Sequence, residues 1–280
     1  MFTPIGFFAG ILDGPLLDVY PNAAFAYSVR KLRSDYTGDC MRIYKQTGGT
    51  FQNFGFDADG YLDVTAIETY LGSSNGWVDI WYDQSGNGND LDIGATGTRA
   101  LIASAGTVTK LNNGKASMKR VAAIGVSTGV TSRGDKTMIT CAQNNENGAS
   151  AATARIISNF NGISSVGTAL IMQFYRPNGM RVFDGGGGIY FPGVRPNEAA
   201  IAGYTKDGGD LLGTYNGNTQ STPTSTGNVD SDNFPIYVFD DRGGSNQENS
   251  DGISEVVLWD NAVYNIANVA DNLNDFYGLY

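Results

Sequence analysis

The 280-residue chain contains no histidine. That removes the commonest general base, the Ser-His and Cys-His nucleophile systems, and His-ligated zinc or iron. Chemistry in this chain must rest on carboxylates, tyrosines or lysines. Two stretches concentrate such groups. Asp240 to Asp251 (DDRGGSNQENSD) packs four acids, Arg242 and several amides into twelve residues. Planar acceptors and amides of this kind bind sugar hydroxyls, often with an aromatic ring beneath the apolar face of the sugar. Asp240, Asp241, Arg242 and Asn246 are therefore candidate glycan ligands. Tyr190, Phe191, Tyr237 and Trp259 are available rings, with Tyr190 and Trp259 preferred. The competing reading is a solvated loop with an Arg242 ion pair worth little. The second stretch is Asp184 with the run Gly185–Gly188, which reads either as close approach of a ligand or as a flexible hairpin tip.

A third string, Trp81-Tyr82-Asp83-Gln84-Ser85-Gly86-Asn87-Gly88-Asn89-Asp90-Leu91, is the most distinctive in the chain. It reads as a strand ending in a tight turn. Gly86 and Gly88 can take positive φ, and Asp83, Gln84, Ser85, Asn87 and Asn89 can fold back onto backbone groups. Asp83, Ser85, Asn87 and Gly88 superficially match the start of a calcium loop. The closing Glu is absent and the flanks are not helical, so no metal is expected. The expected role of Asp83 and Asn89 is that of hydrogen-bonding corner posts.

The elements that must position these groups follow from composition. Glycine is abundant, at 38 residues, charged residues make up only 16%, and Asn, Ser and Thr fill the polar positions. Short apolar runs separated by Gly, Asn, Asp and Ser read as many strands joined by turns. Helices are expected over 21–34, over 63–71 with Asp63 as cap and Gly72 as stop, and over 266–277. Strands are expected over 40–44 and 76–82. From Leu101 onward the pattern is almost wholly β, with strands over 118–126, 136–142, 154–160, 168–174, 180–184, 198–204, 210–215, 235–239 and 252–259. The stretch 216–233 reads as a long exposed loop. The economical architecture is one mainly β sandwich of jelly-roll type with a few short helices.

The net charge of −10 argues against a nucleic-acid partner. Cys40 and Cys141 form no metal or redox motif and read as buried core residues or, alternatively, a structural disulfide. Residues 1–26 are apolar but broken by Pro4, Gly6, Asp13 and Pro15, too short and interrupted to span a membrane. They read either as a docking arm, taken as 1–22 ahead of a domain over 23–280, or as a first strand on that domain.

WYDQSGNGNDL resembles the YDQSGNGN signature in the catalytic domain of fungal α-L-arabinofuranosidase B. It also resembles concanavalin A-like (LamG-type) domains of phage structural proteins. AYSVRKLRSDYTGDCMRIYK upstream and DGISEVVLW…NVADNLNDFYG downstream extend the resemblance, so blocks at 26–45, 81–91 and 251–278 bracket most of the chain. The resemblance implies a concanavalin A-like jelly roll. It also raises retaining glycoside hydrolysis, which needs two carboxyl groups about 5 Å apart across the scissile bond. The family's nucleophile position falls in the run Gly185–Gly188, with Asp184 nearby but offset, and its acid/base position matches Asp240 or Asp241. The vicinal cysteine pair of that family is missing.

The favoured expectation is therefore a non-enzymatic virion surface protein of capsid-decoration or fibre type, with no cofactor. It would bind phage capsid or tail proteins through the N-terminal arm, display loops to host glycans, and form a homo-oligomer, a trimer being favoured. The alternatives are a carbohydrate-binding adhesin module and a retaining glycosidase.

Overall fold

A computed structural model describes residues 14–94, 99–119, 125–132, 134–143, 153–159, 170–175, 179–184, 187–193, 197–208, 210–223, 235–239 and 252–280. Two antiparallel sheets face each other. The larger has the order β17 (Asn218–Pro223), β16 (Asp210–Tyr215), β15 (Ala199–Asp207), β10 (Lys136–Gln143), β19 (Gly252–Asp260), β8 (Met118–Lys119), β6 (Ala100–Ser104), β4 (Gly76–Trp81), β2 (Met41–Lys45) and β3 (Thr50–Phe54). β1 (Phe25–Ser28), β5 (Leu91–Asp92) and β7 (Thr107–Val108) pair with β19, β4 and β6 respectively. The smaller sheet has the order β14 (Gly187–Pro192), β13 (Gly179–Asp184), β12 (Ile171–Tyr175), β11 (Thr153–Ser158), β18 (Tyr237–Val238) and β9 (Val126–Ser127).

One apolar core fills the space between the sheets. Ile157, Met172, Val182 and Ile189 of the smaller sheet meet Met138, Tyr204, Val256 and Leu258 of the larger. A second core lies on the far side of the larger sheet, where Ile139, Cys141, Ile201, Val257 and Trp259 are covered by α3 (Ile266–Tyr277) and α1 (Leu16–Val19). The alternation along β19 divides its residues between the two cores, as a pleat of period two requires.

The helix expected over 21–34 is instead β1. Phe25 and Tyr27 face the interlayer core and Ala26 the outer one, so all four residues of the strand are buried. A strand buried on both faces shows no polar alternation, which is why its pattern passed for a helix. The other two helices stand as read. Asp63 accepts from Ala66 N at 2.9 Å to cap α2 (Val64–Leu71), and Gly72 follows it at φ 60°. Asn265 caps α3 and Gly278 closes it in the left-handed conformation. Six further strands went unread: β3, β5, β6, β7, β14 and β17. The last occupies part of the stretch read as a loop, and its Thr- and Ser-rich sequence pairs residue for residue with β16.

Of the segment read as an arm, 1–13 lie outside the described residues. Residues 14–22 pack on the body rather than leaving it. Leu16, Leu17 and Tyr20 are buried, and Tyr20 stands edge-on to Trp259 and Tyr264 at 6.4 and 5.2 Å. Cys40 and Cys141 are both free thiols. They belong to the two different cores, on opposite sides of the larger sheet, so they cannot meet. Burial pushes both thiols upward in pKa, which keeps them protonated.

Candidate functional site

The turn after β4 forms the corner foreseen from its sequence. Asp83 Oδ1 accepts from the backbone of Ala26 and Ser85 at 2.8 and 2.9 Å, and Oδ2 from Ser85 Oγ and Asn89 N at 2.6 and 3.0 Å. Gln84 is fully buried; its Oε1 accepts from Leu32 N and its Nε2 donates to the carbonyls of Ser28 and Arg30. Asn87 and Asn89 donate to the carbonyls of Ala23 and Ala24. Gly86 and Gly88, at φ 93° and 73°, permit the turn. Every oxygen of Asp83 is thus turned on the chain itself. The motif fastens the segment before and after β1.

Asp184 lies at the end of β13 and is fully buried. On this strand Met180 and Val182 point inward with it, while Arg181 and Phe183 point to the open face. The carboxylate therefore enters the interlayer. It is held there by Lys136 Nζ and Lys206 Nζ, each at 3.1 Å, and by the Tyr204 hydroxyl at 3.1 Å. Lys136 and Lys206 stand directly opposite each other on β10 and β15. Such proximity of two ammonium groups is tolerable only with a carboxylate between them. Asp184 is one residue out of phase with the open face, and in a strand that is the difference between core and surface.

The open face of the smaller sheet carries the remaining sequence candidate among the described residues. Arg181 pairs across the ladder with both Gln173 and Tyr190. Its guanidinium sits 5.4 Å from the centre of the Tyr190 ring and 6.0 Å from that of Phe183. Tyr190 is 42% exposed. Its ring lies across Gly179, where a Cβ would come within 2.1 Å of it, and the Phe183 ring lies across Gly188 in the same manner. The glycines are seats that let aromatic rings lie flat on the sheet. No sequence signal marks this pairing, because Gly179 and Tyr190 are brought together only by the β13–β14 register. Tyr237 lies half-buried on β18, across the ladder from Ser158 and Ser127.

Trp259 does not join Tyr190. It is fully buried in the outer core, and its indole N–H donates to the Tyr20 carbonyl at 2.7 Å. Both sheets separate it from the open face of β13 and β14, so it cannot serve as a platform for the same sugar. Phe191 is buried on the inner face. Asp240, Asp241, Arg242 and Asn246 lie outside the described residues, between β18 and β19.

No protein-family model matches the sequence, and no curated protein matches it closely enough to count as a relative. Among solved structures, the fold superposes on a GH54 α-L-arabinofuranosidase soaked with a cyclic sulfate inhibitor, at TM-score 0.66 and 13% identity over 94% of this chain and 63% of that one. It also superposes on an arabinofuranosidase complexed with arabinofuranosyl-α-1,2-xylobiose, at TM-score 0.68 and 15% identity over 92% and 64%. A mutant Trypanosoma rangeli sialidase displaying trans-sialidase activity matches at TM-score 0.50 and 12% identity over 71% and 31%. The chain thus spans a little under two thirds of the arabinofuranosidases' length. These neighbours correct the expectation that the chain is not an enzyme, because the β-sandwich is a fold that glycoside hydrolases use. Nothing in them is a phage protein, and what they establish is the architecture: the chain is a two-sheet antiparallel sandwich of the kind found in carbohydrate-active proteins.

Proposed function

We propose that this chain recognises carbohydrate through the open face of its smaller sheet. The observation that carries this reading is the Tyr190 ring, spread over Gly179, half exposed and backed by Arg181. A flat, partly exposed ring offers a stacking surface for the apolar face of a sugar. The superposition on two arabinofuranosidases over more than nine tenths of the chain supports the same class of ligand. A glycan array probed with the whole chain tests it. Binding to at least one glycan is expected, reduced at least tenfold by Tyr190→Ala; an array blank at every spot would remove the reading.

The glycosidase fold favours a second reading, hydrolysis of an arabinofuranoside. Asp184 is committed to Lys136 and Lys206, so the acid/base that the resemblance assigns to Asp240 or Asp241 becomes the residue to test. Turnover of 4-nitrophenyl α-L-arabinofuranoside that falls at least a hundredfold in Asp241→Asn or Asp240→Asn is the expected result on that reading. Equal rates for both variants and the parent would dispose of it. A place on a phage particle, with attachment through the N-terminal segment, rests on the sequence resemblance alone. Cosedimentation of the chain with purified virions is its test.

A further inference from the structure

A second surface of different chemistry lies at the opposite edge of the molecule, on the outer face of β2, β3 and β4. Cross-strand pairing sets Phe51 beside Tyr44, and Tyr44 beside Trp77, in one row on this face. The row crosses three strands, about 10 Å. Phe51 is 50% exposed, and its ring centre is 5.1 Å from that of Tyr44. The inner residues of the same strands, Met41, Ile43, Val78 and Trp81, fill the interlayer core. The aromatic row is therefore surplus to the packing of the sandwich.

Two arginines stand over this row. Arg99 lies 4.8 Å from the Tyr44 ring centre and 5.8 Å from that of Phe51, and Arg42 lies 5.6 Å from the Phe51 ring centre. A single buried carboxylate holds both. Asp79 Oδ2 accepts from Arg42 Nε at 2.7 Å, and Oδ1 from Arg99 Nε at 3.1 Å. Asp79 reaches them because a bulge in β4 inserts it between the residues that pair with Arg42 and Ile43. Gly94 leaves the room it needs, since a Cβ there would fall 2.0 Å from Oδ1. The arginine side chains remain 39% and 27% exposed, against 5% for Asp79. Among the described residues, neither guanidinium has a hydrogen-bond acceptor other than Asp79. One carboxylate thus orients two cations that remain partly exposed, in a chain whose net charge is −10. Asp92 also lies on this face, one strand beyond Ile80.

We propose that this platform binds an acidic sugar, a uronate whose ring lies on Tyr44 and Phe51 and whose carboxylate bridges Arg42 and Arg99. A planar carboxylate matches the fork of a guanidinium, and the arginines are already held against the rings, so little ordering is lost on binding. The site rests on the reading that the chain recognises carbohydrate, but it uses none of the residues of the Tyr190 face.

The test measures binding of trigalacturonate and of its methyl ester by titration calorimetry to the whole chain. Three variants accompany it: Arg42→Gln/Arg99→Gln, Phe51→Ser and Tyr190→Ala. Trigalacturonate is expected to bind at least tenfold tighter than the ester, and to weaken at least tenfold in the double arginine variant. Phe51→Ser changes an exposed side chain and keeps the fold, so it guards against misfolding of the arginine variant; it is expected to weaken binding several-fold. Tyr190→Ala is expected to leave it unchanged. Equal affinity for acid and ester overturns the proposal, as does loss only in Tyr190→Ala, which would assign the uronate to the other face and keep the carbohydrate reading. A change of sedimentation coefficient in the arginine variant with unaltered uronate binding also overturns it, making the platform a contact between copies of the chain.

Discussion

At the scale of single residues, the structure turns on three buried carboxylates, each consumed by the fold. Asp83 satisfies four donors of the corner. Asp83→Ala should cost roughly 3 kcal/mol, because several buried donors lose their acceptor together; urea unfolding followed by circular dichroism measures it. Asp184 neutralises two facing lysines. Asp184→Asn is expected to cost about 3–5 kcal/mol, whereas the triple change Asp184→Leu, Lys136→Met, Lys206→Met should come close to restoring stability. A parent-like stability for Asp184→Asn would mean that the two ammonium groups are not held in place by this charge. Glu255 accepts from Arg30 Nε at 2.8 Å, Ser28 Oγ at 2.7 Å and the Tyr277 hydroxyl at 3.2 Å. The Tyr277 phenol is raised by burial and by the nearby Glu255, and the Tyr27 phenol by burial and by Asp83 and Asp90. Their folded pKa values lie above the ordinary 10.0, so the unfolded chain gives up these protons first. Their contribution to stability is whole below pH 10 and declines as pH rises beyond it. Phenolate absorbance from these two residues should accordingly appear only together with unfolding, in a pH titration followed by ultraviolet absorbance and circular dichroism.

At the scale of elements, α3 shows how a short helix is fixed from both ends. Asn265 Oδ1 accepts from Ala267 N and Asn268 N at 3.0 and 3.4 Å, and the Gly278 N–H returns to Asn274 O at 2.7 Å. Asn265→Ala should lower stability by about 1 kcal/mol, measured by thermal unfolding, with Asn265→Asp close to the parent. This helix was legible from its apolar stripe, and α2 from its Asp63 cap and Gly72 stop. β1 was not, because FAYS is buried on both faces and carries neither alternation nor a turn signal. β17 was not, because its strand character comes from pairing with β16 rather than from its side chains. On β13 the alternation was visible, yet which phase faced the core was not. That phase decides that Arg181 meets Tyr190 on the open face while Asp184 meets lysines inside.

At the scale of the whole molecule, the three blocks that carry the family resemblance converge on one frame. β1 pairs with β19 from Phe25↔Leu258 to Ser28↔Glu255, the 83–89 turn hydrogen-bonds to residues 23–32, and Arg30 joins Glu255 beneath α3. Trp259→Ala should cost about 3–5 kcal/mol by opening the outer core against Tyr20, Tyr264 and α3; a loss under 1 kcal/mol in guanidinium unfolding would show that this core is dispensable. The resemblance therefore marks architecture: the side chains of these blocks named here are spent on joining β1, the 83–89 turn and β19. By itself the sequence determined the β class, the turn that corners the sheet, two helices and the cap of one of them, and the absence of histidine chemistry. These depend on local spacing and residue type, which a linear string records. Only the tertiary structure decided that Trp259 is core, that Asp184 is an interior clasp, and that Tyr190 and the Arg42–Arg99 pair stand on open faces. Those outcomes depend on strand register and on which side of a pleat is covered, and both are fixed by partners distant in the chain.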